Sequence, residues 1–164
     1  RIGFIGYVRF FERNKRMLDV FANDVRFELH YYGTNANILK EYAEEKNIRN
    51  TAFHDSFPVE DTAKYLEKID IIINLQKAIS IKFFHALYAR IPILVCDNTY
   101  VGQIAKNIGI GFEVTDINTD MKENLYIWYR GLDFTSLEIN CVKYLEQSVK
   151  ENQEFEKIAI EYLK

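Results

Sequence analysis

The sequence predicts an α/β domain of three layers: a parallel sheet of about six strands, helices on both faces, and a helical C-terminal tail. Three observations carry the prediction. Short apolar runs alternate with segments of helical spacing from Arg1 to about Val114, the pattern of crossover units. The runs Ile71–Leu75 and Ile93–Cys96 are apolar without interruption, as strands covered on both faces are. After Asp116 the strand signal stops and only helical spacing remains.

The elements follow in order. Arg1–Val8 (RIGFIGYV) is a strand running into a glycine-containing turn. Asn14–Phe21 has helical spacing with Met17, Leu18 and Phe21 on one face. Phe27–Tyr32 is a second strand, closed by Gly33. Asn35 or Asn37 begins a helix to about Glu45, with Ile38, Leu39 and Tyr42 together. Thr51–His54 is a short third strand. Pro58–Leu66 is a helix and Ile71–Leu75 a fourth strand. Ser80 stands where it can cap a helix over Ile81–Arg90, which buries Phe83, Ala86 and Leu87 and puts Lys82, His85 and Ala89 on another face. Pro92 lies past that helix, before the strand Ile93–Cys96. Val101–Asn107 is a helix and Gly111–Val114 a last strand. Asp120–Tyr129, Leu137–Val149 and Asn152–Leu163 are then expected as three helices, with Lys and Glu forming a solvated face on the last two. The whole is a Rossmann-like core over residues 1–116, with residues 117–164 packing on it or reaching towards a neighbouring domain.

Composition narrows the class. The 164 residues hold 21 basic and 24 acidic side chains, a formal charge of −3 that argues against non-specific nucleic-acid binding. Cys96 and Cys141 form no disulfide framework, and a reducing cytoplasm is expected. No apolar run approaches the length of a membrane span, and no signal peptide is read. The chain starts at Arg1 within a strand pattern, so it is expected to be a piece of a larger protein.

Three constellations bear chemistry. Gly6, Arg9 and Lys15 follow the first strand and lead into a helix, where backbone N–H groups and a helix start favour phosphate; the plainer reading is a turn with two solvated cations. Lys82 and His85 sit at the start of the helix before Pro92. A cation in a first helical turn opposes the helix dipole and suits an anionic ligand, while a histidine there is more often a packing residue. Phe53, His54 and Asp55 end the third strand, where backbone could cup a nucleotide base or simply turn. His30, His54 and His85 have no metal-ligand spacing with the cysteines, and no metal or cofactor is called for. No catalytic residue is assigned.

Together these stretches resemble the C-terminal donor-binding domain of GT-B fold glycosyltransferases, especially the retaining family 4 group of capsule and lipopolysaccharide synthesis. RIGFIGYVR resembles the opening strand and glycine loop, ELHYYGT the second strand end, NIRNTAFHDSF the third strand, YLEKIDIIINL the fourth, and SIKFFHALYARIPILVCD the family's helix-and-strand motif. The resemblance implies a hexosyltransferase moving a sugar from a nucleoside-diphosphate sugar to an acceptor hydroxyl in surface polysaccharide synthesis. It implies that Gly6, Arg9, Lys15 and Lys82 bind the diphosphate and that Phe53, His54 and His85 bind nucleotide and ribose. A saccharide or lipid-linked acceptor would sit on the missing N-terminal domain, leaving the isolated piece inactive. The implied location is cytoplasmic, with peripheral association of the full-length protein at the inner membrane face left open. Position 85 is His where the family has Glu, and position 77 is Lys where it has another Glu. Arg9 stands three residues after Gly6 rather than next to it, Ile91 replaces a Gly, and Gly102–Gln103 occupy a loop that is elsewhere glycine-rich with a Glu. The alternatives are a non-catalytic binding or assembly module on the same fold and a nucleotide-sugar epimerase.

Overall fold

The computed structural model describes residues 1–78 and 80–162. Six strands form one parallel sheet: β1 (Ile2–Ile5), β2 (Leu29–Tyr32), β3 (Thr51–His54), β4 (Ile71–Asn74), β5 (Ile93–Cys96) and β6 (Gly111–Val114). Their spatial order is β3-β2-β1-β4-β5-β6, with in-register parallel pairs such as Phe4 beside Tyr31 and Leu94 beside Phe112. The helices are α1 (Phe11–Phe21), α2 (Ala36–Glu45), α3 (Thr62–Leu66), α4 (Ile81–Ala89), α5 (Tyr100–Ile108), α6 (Thr119–Arg130) and α7 (Phe134–Tyr162).

Strand alternation sorts the core into two apolar layers. Ile2, Phe4, Tyr31, Ile73 and Leu94 meet Met17, Leu18 and Phe21 of α1, Leu39 of α2, and Met121 and Leu125 of α6. Ile5, Tyr32, Ile72, Ile93 and Val95 meet Leu66 of α3, Phe83 and Leu87 of α4, Val101 and Ala105 of α5, and Leu137 and Cys141 of α7. Both faces are covered, so β4 and β5 are buried at every position. Strand order reverses between β1 and β4, since β2 and β3 extend to one side and β5 and β6 to the other. Loops leaving the C-terminal ends of β1 and β4 therefore diverge and leave a crevice.

Several boundaries differ from the sequence reading. β1 stops at Ile5 because Gly6 takes φ 115°, a left-handed value. α1 begins three residues before Asn14, at Phe11. Pro58–Leu66 is a 3-10 turn over Val59–Asp61 followed by only five α-helical residues. The two terminal helices are one helix of 29 residues, Phe134–Tyr162, because Val149 to Asn152 contains no Gly or Pro to interrupt it. Leu163, assigned to that helix from sequence, lies outside the described residues.

Candidate functional site at the β1–β4 crevice

The loop after β1 is fixed by backbone bonds to its neighbour. Gly6 N–H donates to Tyr32 O at 2.9 Å and Val8 N–H to Thr34 O at 3.0 Å. A Cβ on Gly33 would overlap the Gly6 carbonyl oxygen, so this crossing of two backbones needs glycine. Phe10 then starts α1 from a left-handed conformation, φ 55°. Asn14, buried on α1, reaches back and donates from Nδ2 to Arg9 O at 2.7 Å and to Phe10 O at 3.2 Å. The Arg9 backbone is thereby held, while its exposed guanidinium lies over the Tyr7 ring, 5.2 Å from the centroid.

Across the crevice, α4 starts at Ser80 in extended conformation. The expected cap does not form: the Ser80 hydroxyl donates instead to Asn74 Oδ1 at 2.8 Å. A buried acceptor at the end of β4 wins the hydroxyl, and the first N–H groups of α4 keep no side-chain partner. Asn74 is 1% exposed and its Nδ2 has no partner. Lys82 is 7% exposed, with Nζ over the Phe4 ring at 4.7 Å from the centroid. Burial, and then the Arg9 charge, lower its pKa from the ordinary lysine value.

Arg9, Lys82, Asn74 and Arg13 line a small chamber of about 20 Å³. Beside it opens a cleft of about 1250 Å³ whose wall includes Arg13, Lys15, Lys77, Cys96, Asp97 and Asp116. Arg13 and Leu75 belong to both. Arg13 Nη1 donates to the Leu75 carbonyl and approaches Cys96 Sγ at 3.7 Å, tying α1 to β4 and β5. Lys15 faces the larger cleft, paired with Glu12 at 2.9 Å. Among the described residues Arg9, Arg13, Lys77 and Lys82 make no ion pair with a carboxylate.

The expected site residues thus fall into two groups. Arg9 and Lys82 both line the chamber, Lys15 lines the adjoining cleft, and Gly6 lines neither cavity. His85 is half-buried, one helical turn beyond Lys82; its Nδ1 has no partner, and burial, then the Lys82 charge, hold its pKa below the ordinary histidine value. Phe53 and His54 stand on the edge strand, two strands from β1, and line neither cavity. Their rings stack internally, Phe53 on Tyr31 at 5.6 Å and His54 on Tyr32 at 4.3 Å between centroids. Burial is the main cause lowering the His54 pKa. Sequence reasoning missed Arg13 and Asn74. Arg13 is a further cation four residues on from Arg9, and Asn74 is a lone polar residue closing an apolar strand, which are the signals that point to them. Among the described residues no three His, Cys, Asp or Glu side chains converge as metal ligands would.

A doubly wound parallel sheet with a basic crevice at its strand-order reversal defines an α/β domain built to take a ligand at that edge. Comparison with solved structures finds the same fold, at low sequence identity, in domains of glycosyltransferases. The chain superposes on TarM with a TM-score of 0.68 at 17% identity, covering 96% of this chain and 34% of that one. On WaaG, a glycosyltransferase involved in lipopolysaccharide biosynthesis, the TM-score is 0.66 at 16% identity, covering 89% of this chain and 43% of that one. On Anabaena HepE in complex with UDP-glucose it is 0.60 at 11% identity, covering 89% and 48%. The chain therefore spans less than half the length of each. No family model matches the sequence, and no curated protein matches it.

Proposed function

We propose that this chain is the donor-binding half of a nucleotide-sugar-dependent glycosyltransferase of surface polysaccharide synthesis, of the retaining family 4 kind. The observation that carries it is the pairing of two helix starts without side-chain caps, α1 and α4, with Arg9 and Lys82 across the β1–β4 crevice. Free N–H groups and the positive ends of two helices favour a diphosphate there. Negative charge grows on the nucleoside diphosphate as the glycosidic bond breaks, and fixed cations stabilise it as it grows. Gly6, Arg9, Lys15 and Lys82 would hold this group without a metal ion. Phe53, His54 and His85 would face nucleotide and ribose once the donor is bound. The UDP-glucose of the HepE complex supports the ligand class.

In this reading residues 1–116 are the donor core and 117–164 the helices that meet a second domain carrying the acceptor. The full-length protein would work in the cytoplasm, at the membrane face when its acceptor is lipid-linked; no helix among the described residues is long and apolar enough to cross a membrane. Calorimetry with UDP, GDP and their sugar conjugates tests the reading. Arg9→Ala and Lys15→Ala should each weaken diphosphate binding about tenfold or more without unfolding the domain. Unchanged affinity in both removes the assignment. A second reading, a binding or assembly module, draws on Lys77 and His85, which stand where the resembled family has glutamates. Sugar transfer by the two-domain protein excludes it, and an epimerised nucleotide sugar would instead reveal an epimerase.

A further inference from the structure

We infer that Asn74 is a positioning residue of the crevice: its side-chain oxygen holds the Ser80 hydroxyl away from the N-terminus of α4 and keeps that end open for the diphosphate. The inference rests on the donor-binding reading above and names the residue that keeps its site open. α4, α5 and α6 all start from residues able to cap, and the three backbones are alike. Ser80 has φ −129° and ψ 159°, Thr99 φ −115° and ψ 154°, and Asn118 φ −150° and ψ 179°. Thr99 and Asn118 each accept a first-turn N–H, from Gly102 and Met121. The Ser80 side chain accepts none. Residue type and backbone conformation both favour a cap at Ser80, so neither explains its absence.

The partner of the hydroxyl explains it. Donating a hydrogen bond does not by itself prevent capping, since the Thr99 hydroxyl donates to Cys96 O at 2.8 Å and still accepts from Gly102 N–H at 3.0 Å. That acceptor lies three residues back in the same loop. The acceptor of the Ser80 hydroxyl is Asn74 Oδ1 at 2.8 Å, on the last residue of β4. With the hydroxyl drawn to the end of the sheet, Phe83 N–H donates to the Ser80 carbonyl at 3.0 Å instead. Strand packing does not require an amide at position 74. Asn74 follows three buried isoleucines, is 1% exposed, and leaves its Nδ2 without a partner, a loss that an apolar side chain of similar size avoids. The same side chain lines the chamber with Arg9 and Lys82. An unpartnered buried donor there takes an acceptor from the ligand, and a phosphoryl oxygen is one. One amide thus serves twice: Oδ1 withholds the cap, and Nδ2 meets the group that replaces it.

Calorimetry with UDP and GDP on the 164-residue chain compares Asn74→Leu in two backgrounds, wild-type and Ser80→Ala. Once Asn74 is gone, the freed hydroxyl can cap α4 in the first background and is missing in the second. For whichever nucleotide binds, Asn74→Leu should weaken binding about tenfold or more in the wild-type chain. In the Ser80→Ala chain the loss should be smaller by at least about threefold, the part common to both being the bond from Nδ2. Amide exchange of Lys82 and Phe83 reads the same event without nucleotide: Asn74→Leu should slow it about tenfold, and adding Ser80→Ala should restore it. Asn74→Ala, run in parallel, carries both measurements if the leucine variant does not fold. Equal losses in the two backgrounds, or no loss in either, overturn the inference and leave the donor reading standing. Amide exchange that Asn74→Leu does not slow overturns it as well. A chain that binds neither UDP nor GDP overturns both the inference and the reading it rests on.

Discussion

The helices leaving the C-terminal edge of the sheet begin in two ways. α5 and α6 start closed: Thr99 Oγ1 accepts from Gly102 N–H at 3.0 Å, and Asn118 Oδ1 accepts from Met121 N–H at 2.8 Å. α1 and α4 start open, with Phe10 apolar at one N-cap and the Ser80 hydroxyl diverted at the other. α2 also lacks a side-chain cap, so openness alone distinguishes little. What sets α4 apart from α1 and α2 is that its first turn holds the buried Lys82, where a cation opposes the dipole, and no acidic residue; in α1 Glu12 stands beside Arg13. Local helix stability is given up at the start of α4, on one side of the crevice, and kept at α5 and α6. That is the distribution expected when an anion completes the structure.

The comparison can be broken or sharpened by substitution. The largest effect belongs to Lys82→Met. Removing the desolvated ammonium while keeping the stem's packing should raise the stability of the ligand-free chain by on the order of 2 kcal/mol in urea unfolding. A loss of stability would mean that the Phe4 contact outweighs the burial of the charge. Next come the closed starts. Thr99→Ala should cost about 1–2 kcal/mol, since the hydroxyl also donates to Cys96 O at 2.8 Å, and Asn118→Ala about 1 kcal/mol, neither changing nucleotide affinity. Converting an open start to a closed one is the more pointed experiment. Ser80→Asp should raise stability by about 0.5–1 kcal/mol and weaken nucleotide binding roughly tenfold, because its carboxylate would take the place reserved for the ligand.

The smallest effect concerns His85. Its folded pKa lies below 6.5, so below about pH 6.5 the unfolded chain takes up a proton that the folded chain resists. Stability should therefore be unaffected above that pH and fall as pH drops below it. The ring is half-exposed and screened, so the share due to His85 is small, read as the flattening of the acid limb in His85→Gln. His54 is lowered in the same direction and would leave a residual slope.

The fold was legible because its signals are local and repeated. Thr51–His54, Ile93–Cys96 and Gly111–Val114 occupy the residues their patterns assign, each being a short apolar or alternating run between turns. The boundary at Leu137–Leu163 was less legible, because a charged helix without Gly or Pro looks the same in sequence whether it is one rod or two. The lining of the chamber was legible at Arg9, a cation in the turn after β1, and at Lys82, a cation whose place in a first helical turn runs against local preference. The site was not legible at Ser80, whose cap was lost to Asn74, six residues away. Nor was it legible at Arg13, whose bonds to Leu75 and Cys96 cross 62 and 83 residues of sequence. Phe53 and His54 read as a strand end open to a nucleotide because their stacking partners, Tyr31 and Tyr32, lie on another strand.

The burial of Lys82 has a consequence for when conformational entropy is lost. A lysine side chain packed against Phe4 has given up its rotamer freedom at folding, to the extent of about 1.5–2 kcal/mol. The Arg9 side chain stays exposed and gives up its freedom only when a ligand arrives, at about 0.5–1.5 kcal/mol. The two cations of one chamber therefore act on different clocks: the α4 side is ordered before the ligand comes, and the α1 side by the ligand itself.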